Sequence, residues 1–370
     1  MFKVTMLPAE DGDSFFVEVG AKPYRILIDG GRTKTANGPL ATLINNLTLQ
    51  DETSVDLVVL THVDADHIEG LLSFIKTRGK ALTKSIWFNG YQALCAAANI
   101  KHVMPGDAPD VDDQPTTLSI LQGKKLTTQI EERGWAWNTG WNEGAVMIEP
   151  SGPLPVIDLP GGARLTLLSP QRSNLAEFRR AWGQTIREEI EGQGHQVMRG
   201  TRGPAHLPGR NVAHYASLRD NPDRALPNAT SIAFVLEFGG KQALFTGDAN
   251  PDVLAAALER LQPGGEPVYF DLIKVAHHGS SANNTSPLIA RLASKLWLFS
   301  SNGRRHGHPE PEAIARVLLT KGEKRLIFNY RSGFSEAWED HVAEREHNYV
   351  CQFPASEDDA TVIDLLSHDP

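Results

Sequence analysis

Short apolar runs that close on a histidine or an aspartate dominate this chain. "VDLVVLTH" leads to His62, "QALFTGD" to Asp248, "FDLIKVAHH" to His277 and His278, and "LWLFSSNGRRHGH" to His306 and His308. Such runs are short for a buried helix and lack the alternation of a half-exposed strand. They are expected as strands buried on both faces. "FKVTML", "SFFVEV" and "RILIDGG" are rich in β-branched and aromatic residues and are parted by Gly and Asp turns, which predicts three more strands.

Helical spacing of Ile68, Leu71, Leu72, Phe74 and Ile75 predicts a helix after Asp66. "PDVLAAALERL", "PLIARLASKLW" and "PEPEAIARVLL" read as helices opened by prolines. "SIAFVLEF", "GGK" and "QALFTGD" read as a hairpin. Strands first, then strand–helix alternation, predict an α/β chain with two sheets covered by helices, as one domain over 1–370. Two stretches, about 93–156 and about 172–224, break the pattern and are expected as insertions. In the first, "WAWNTGWNEG" reads as a surface loop or small hairpin. The second holds nine Arg, no Lys and six acidic residues. Its aperiodic "RGTRGPAHLPGRN" is expected as a long functional loop, with Arg199, Arg202 and Arg210 as candidate contacts to an anionic substrate.

Bulk properties narrow the class. A net charge of -9 argues against a general-purpose nucleic-acid binder, so a nucleic-acid partner would be met by a local patch or a metal. The two cysteines, Cys95 and Cys351, form no CxxC and fit a reducing compartment. The first twenty residues do not read as a signal peptide, and no apolar stretch is long enough to span a membrane. A cytoplasmic protein without a membrane partner is expected.

The strand ends carry the chemistry. Several strands delivering imidazole and carboxylate to one sheet rim is how a fold builds a site for Zn, Mn or Fe. "THVDADH" resembles the His-x-His-x-Asp-His signature of the metallo-β-lactamase superfamily. "ILIDGG", "LFTGD" and "KVAHHGS" resemble further motifs of that superfamily, in the same order. With "GDS" near the N-terminus and "GHP", they are similar to the hydrolase domain of the ComEC-type DNA-uptake channel and its stand-alone relatives. The resemblance spans residues 1 to about 320 outside the insertions. It implies an αββα metallo-β-lactamase sandwich with insertions and two divalent metal ions, Zn or Mn. It places His62 and Asp64 on one ion, Asp66, His67 and His277 on the other, and Asp248 between them. Asp66, Asp248 and His308 are then the candidate catalytic residues. Asp29, Asn228 and His278 are candidate supports behind the ligands. Asn228 stands where the superfamily has a histidine, which leaves the first ion short of a ligand unless His195, His206 or His214 comes in.

Asp64 also departs from the pattern, being a carboxylate where the signature has an imidazole. With two divalent ions, three carboxylates and a bridging hydroxide, the site is formally neutral. The harder ligand favours Mn or mixed occupancy. Two ions can hold the attacking and leaving oxygens of a phosphodiester. The first reading is therefore a phosphodiesterase or nuclease using a metal-bridging hydroxide. A hydrolase of a small ester, lactone or thioester is the second. An effector or interaction subunit, with a partner protein in a larger bacterial conflict (phage defence) system, is the third.

Overall fold

Seven strands make the first sheet and eight the second. In chain order the first part runs β1 (Phe2–Met6), β2 (Phe15–Val19), β3 (Tyr24–Ile28), α1 (Thr33–Asn37), α2 (Pro39–Leu49), β4 (Val55–Val59), α3 (Ala65–Arg78), β5 (Thr83–Trp87), α4 (Tyr91–Ala97), α5 (Thr117–Arg133) and β6 (Ala136–Trp137). The second part runs β7 (Val156–Asp158), β8 (Arg164–Ser169), α6 (Arg172–Glu191), α7 (Val212–Ser217), α8 (Leu226–Ala229), β9 (Ala233–Phe238), β10 (Lys241–Phe245), α9 (Pro251–Leu261) and β11 (Val268–Lys274). It closes with α10 (Ser286–Ile289), β12 (Leu292–Phe299), α11 (Pro311–Leu318), β13 (Lys324–Phe328), α12 (His341–His347), β14 (Tyr349–Gln352) and β15 (Thr361–Asp364). This is a computed structural model, and it describes residues 1–49, 55–78, 83–100, 117–141, 144–191 and 211–367.

The sheet orders are β15-β1-β2-β3-β4-β5-β6 and β14-β13-β12-β11-β10-β9-β8-β7. From Leu57 onward, burial in β4 follows the strand period. Leu57 and Val59 of β4 join the core shared with the second sheet, while Val55 and Val58 join the helix-side core with Ile68, Leu71 and Phe74 of α3. Both faces of β4 are covered, which is why its sequence does not alternate. Behind the second sheet, Leu254 and Leu258 of α9 and Ile314 and Leu318 of α11 pack into the same core as Phe270 and Trp297. The architecture is the expected αββα sandwich. No helix of the described residues is long and apolar enough to cross a membrane.

Three segments differ from the sequence reading. "PLIARLASKLW" is not one helix: α10 stops at Ile289, and β12 begins at Leu292, paired with Val268 of β11. Its apolar residues satisfy both periods, and pairing with a buried parallel neighbour decides between them. "WAWNTGWNEG" supplies the edge strand β6, parallel to β5, instead of a free loop or hairpin. The Arg-rich stretch opens with α6, whose Leu175, Phe178, Ala181 and Trp182 are buried in the helix-side core. Of the stretch "RGTRGPAHLPGRN", all but Asn211, and so Arg199, Arg202 and Arg210, lies outside the described residues.

The strand directions place the site. β3 and β4 are parallel, and so are β10, β11 and β12, so their C-terminal ends share one rim. Residues that follow those ends meet there: Asp29, Thr61 to His67, Asp248, His277 and His278.

Candidate metal centre

A polar shell underlies the rim and fixes the imidazoles. Asp29 follows β3 with φ 56 and is fully buried. Its Oδ1 accepts the Thr61 backbone N–H at 2.7 Å, and its Oδ2 accepts the Thr61 hydroxyl at 2.8 Å. The same Oδ2 accepts Nδ1–H of His67 at 2.8 Å. Thr61 Oγ1 has thus spent its proton on Asp29, so it accepts from Nδ1 of His62 at 3.0 Å. Nδ1 of His278 lies 2.9 Å from the Ser300 carbonyl, which can only accept. Nδ1 of His277 lies 2.8 Å from Asn283 Oδ1. Asn283 donates through Nδ2 to Asp223 and to the Asp248 carbonyl, so its Oδ1 is an acceptor.

All four histidines therefore keep a proton on Nδ1, so Nε2 is the nitrogen each can turn to a metal ion. These Nε2 atoms converge. Oδ2 of Asp248 stands 3.8 Å from Nε2 of His62, 3.3 Å from His67, 3.5 Å from His277 and 3.5 Å from His278. Asp66, in the first turn of α3, reaches Nε2 of His278 at 3.3 Å and that of His67 at 4.0 Å. Oδ2 of Asp64 stands 3.8 Å from Nε2 of His62, while its Oδ1 accepts the Ser119 hydroxyl of α5 at 3.0 Å.

The donor set fits a transition metal. Nε2 of His62, His67 and His278 and Oδ1 of Asp248 are buried without a hydrogen-bond partner. Such orphans are costly unless something else satisfies them. Ligands held about 2.0–2.2 Å from a tetrahedral ion stand roughly 3.4 Å from one another, which is the spacing found here. Asp13, His67, Asp248 and His278 also lie within 4.8 Å of one another and are all buried. Asp13, however, faces Nδ1 of His278 at 3.2 Å and Nζ of Lys274. It supports the cluster from behind, and Asp66 is the carboxylate turned toward Nε2 of His278.

Electrostatics point the same way. Burial works against a cation at His67, but Asp248 and Asp29 outweigh it and hold its pKa well above the usual histidine range. At His278, burial is likewise outweighed, by Asp248 and Asp13. His62 is pushed down to about 4 by burial and then by the neighbouring His67 cation. Burial opposes the Asp248 carboxylate, yet His277, His278 and His67 hold its pKa well below the carboxylate range. The pocket field is thus one that gathers positive charge.

The sequence-derived candidates fare differently. His62, Asp64, Asp66, His67 and Asp248 come together. His277 was assigned beside Asp66 and His67, but His278 stands there, because β11 ends at Lys274 and a 3-10 turn over Ala276–Gly279 follows. His277 meets Asp248 as well. Asn228 lies 3.4 Å from Nδ1 of His277 and donates to Asp223 at 2.6 Å. His308 is buried, its ring 5.3 Å from that of His277 and 6.4 Å from that of His278. His214 is exposed on α7, its ring against Tyr215. His195 and His206 lie outside the described residues.

Asp13 and Lys274 were missed. Lys274 is 1% exposed, donates to the Gly247 carbonyl at 2.8 Å, and stands 3.6 Å from Oδ1 of Asp248. A lysine inside the apolar "FDLIKVA" was the available signal.

No family model matches the chain. No curated protein matches it either. Solved structures similar to it include the following two. One is an E377D mutant of the CmlA β-hydroxylase, at 10% identity and a TM-score of 0.37, covering 98% of this chain and 53% of that one. The other is Zn(2+)-bound PqqB from Methylobacterium extorquens, at 13% identity and a TM-score of 0.39, covering 98% of this chain and 99% of that one. This chain thus spans about half the length of the first protein. Likenesses this distant say nothing of activity.

Proposed function

We propose that this protein is a metal-dependent hydrolase of phosphodiesters, with nucleic acid as the favoured substrate, related to the hydrolase domain of the ComEC-type channel. The observation that supports it is the convergence of four imidazole Nε2 atoms, each held by a partner at Nδ1, on Oδ2 of Asp248. His62, Asp64, Asp66, His67, Asp248, His277 and His278 are the residues that would hold two ions. Such ions would make a nucleophile available near neutral pH and neutralise charge developing on the phosphodiester.

The remaining steps belong to the chain itself. Asp29 and Thr61 fix the two motif imidazoles, so no reorganisation is needed when substrate arrives. Lys274 stands beside Oδ1 of Asp248 and leaves Oδ2 turned toward the imidazoles. His308 is held neutral, its pKa driven well below the histidine range by burial and by His277, His278 and His306. Arg304 and Arg305, exposed on the loop that leads to His308, suit an anionic substrate.

Asp248→Asn tests the reading. Asparagine keeps the size but is neutral and cannot bridge as a carboxylate does. Turnover of a model phosphodiester should be abolished. Because Asp248 also offsets the charges of Lys274, His67 and His278, the metal-free form should lose stability too, so turnover is compared at a temperature where thermal melts show the variant folded. An active Asp248→Asn variant would reject the mechanism. Wild-type protein inactive on DNA, RNA and model phosphodiesters, but active on a lactone or thioester, would move the assignment to that class.

A further inference from the structure

Consecutive residues on a strand point to opposite faces, yet His277 and His278 both face Asp248. The backbone explains how. His277 has φ 46 and His278 φ 55, both left-handed, and Gly279 follows at φ 90. Two consecutive non-glycine residues in this region carry a conformational cost and persist where the surroundings enforce it. Here the His277 backbone N–H donates to the Gly247 carbonyl at 3.0 Å, tying the turn to the loop that carries Asp248. The two rings then stand 5.6 Å apart at 73°, with each Nε2 3.5 Å from the same carboxylate oxygen.

The two histidines keep different company. His278 is fully buried beside Asp66 and His67. His277 is partly open and is gripped by a polar cage of its own. Its Nδ1 donates to Asn283, which is fully buried, and both Asn283 and Asn228 donate to Asp223. Amides backed by a carboxylate behind the far nitrogen are the support a metal-binding imidazole receives. His62 stands 3.8 Å from Asp64 and 3.8 Å from Oδ2 of Asp248.

Resting on the dinuclear reading above, we propose that the tandem histidines are divided between the two ions. His278 joins Asp66 and His67, while His277 joins His62 and Asp64. Asp248 is common to both, and Asn283, which accepts from Nδ1 of His277, acts behind it as a positioning residue. The site is thereby complete without any histidine from the 192–210 stretch.

The test is metal stoichiometry, read by elemental analysis after equilibration with Zn or Mn and by the electronic spectrum with Co(II). Asparagine adopts left-handed φ more readily than most residues, so His277→Asn removes the imidazole and keeps the turn. Wild type should take up two equivalents. His277→Asn should keep one, with affinity for the second lowered at least about a hundredfold. Adding Asn228→His to His277→Asn should restore the second equivalent, because residue 228 lies against the vacated ring. Thermal melts establish that each variant is folded. Two equivalents of unchanged affinity in folded His277→Asn would overturn the proposal and make His277 a proton-transfer group. One equivalent in the wild type would overturn it too, while leaving a metal hydrolase standing. No uptake by the wild type would overturn the hydrolase reading as well.

Discussion

Lys274 is the residue whose position is hardest to justify by packing alone. A lone buried ammonium is expensive, and burial pulls its pKa down, yet Asp13 and Asp248 reverse the direction and keep it charged. Asp13 in turn is held ionised, against burial, by Lys274 and His278. Removing one member of such a group strands the others. Lys274→Met should therefore cost about 3–5 kcal/mol in denaturant unfolding of the metal-free protein. The double variant Asp13→Asn/Lys274→Met should recover part of that loss, since it removes both charges. If the double variant is as unstable as the sum of the singles, the pair is not coupled and this account of Asp248 fails. At this scale the sequence was only partly legible. His62, Asp66, His67 and Asp248 could be read because closely spaced motifs carry them. Asp13 and Lys274 stand inside "GDS" and "KVAHHGS", but they lie 261 positions apart along the chain and nothing local shows that they pair.

Between single residues and the sheets, one crossing governs the site: α3 against the turn that follows β3. Gly30 N–H donates to the His67 carbonyl at 2.8 Å, and Gly70 N–H donates to the Gly31 carbonyl at 2.8 Å. The approach leaves no room for side chains. A Cβ on Gly70 would stand 1.9 Å from the Gly30 carbonyl oxygen, and one on Gly30 would stand 2.1 Å from the Leu71 nitrogen. This contact sets α3, with Asp66 and His67, against Asp29. Gly70→Ala separates two effects by sign. In an open helix it would stabilise by about 0.5–1 kcal/mol. Here it should destabilise by about 1–3 kcal/mol and weaken metal binding, because α3 must move away. Unchanged stability and unchanged metal affinity, measured by denaturation and metal titration, would count against this crossing. The central strands β4, β10 and β11 were legible because their closing residues are buried on both faces. The boundary of β12 was not, because its residues suit helix and strand alike and only the partner β11 decides. Nor was β15, which pairs with β1 from the other end of the chain and has no local signature of that pairing.

At the scale of the molecule, the candidate ligands come from both sheets, from the ends of β4 and β10 and the turn after β11. The site therefore exists only when the sandwich is closed, and an ion bound there is linked to folding as a whole. Metal at about a hundred times its dissociation constant should stabilise the fold by about 2.7 kcal/mol, which for a chain of this length is a rise in Tm of roughly 3 °C. The dependence on pH has a definite sign. In the metal-free protein His67 and His278 have pKa values raised well above the histidine range. Their contribution to stability is present below the unfolded value of about 6.5 and is lost as pH rises through the folded values. His62, pushed down to about 4, has no proton to lose over that span. An ion displaces the His67 and His278 protons and takes over their attraction to Asp248. The metal-bound protein should therefore keep its stability where the metal-free protein sheds it, and the rise in Tm should grow from about pH 6 upward. Thermal melts with and without Zn or Mn across that range check this. A rise that is independent of pH would mean that the ion does not compete for these two imidazoles and is bound elsewhere.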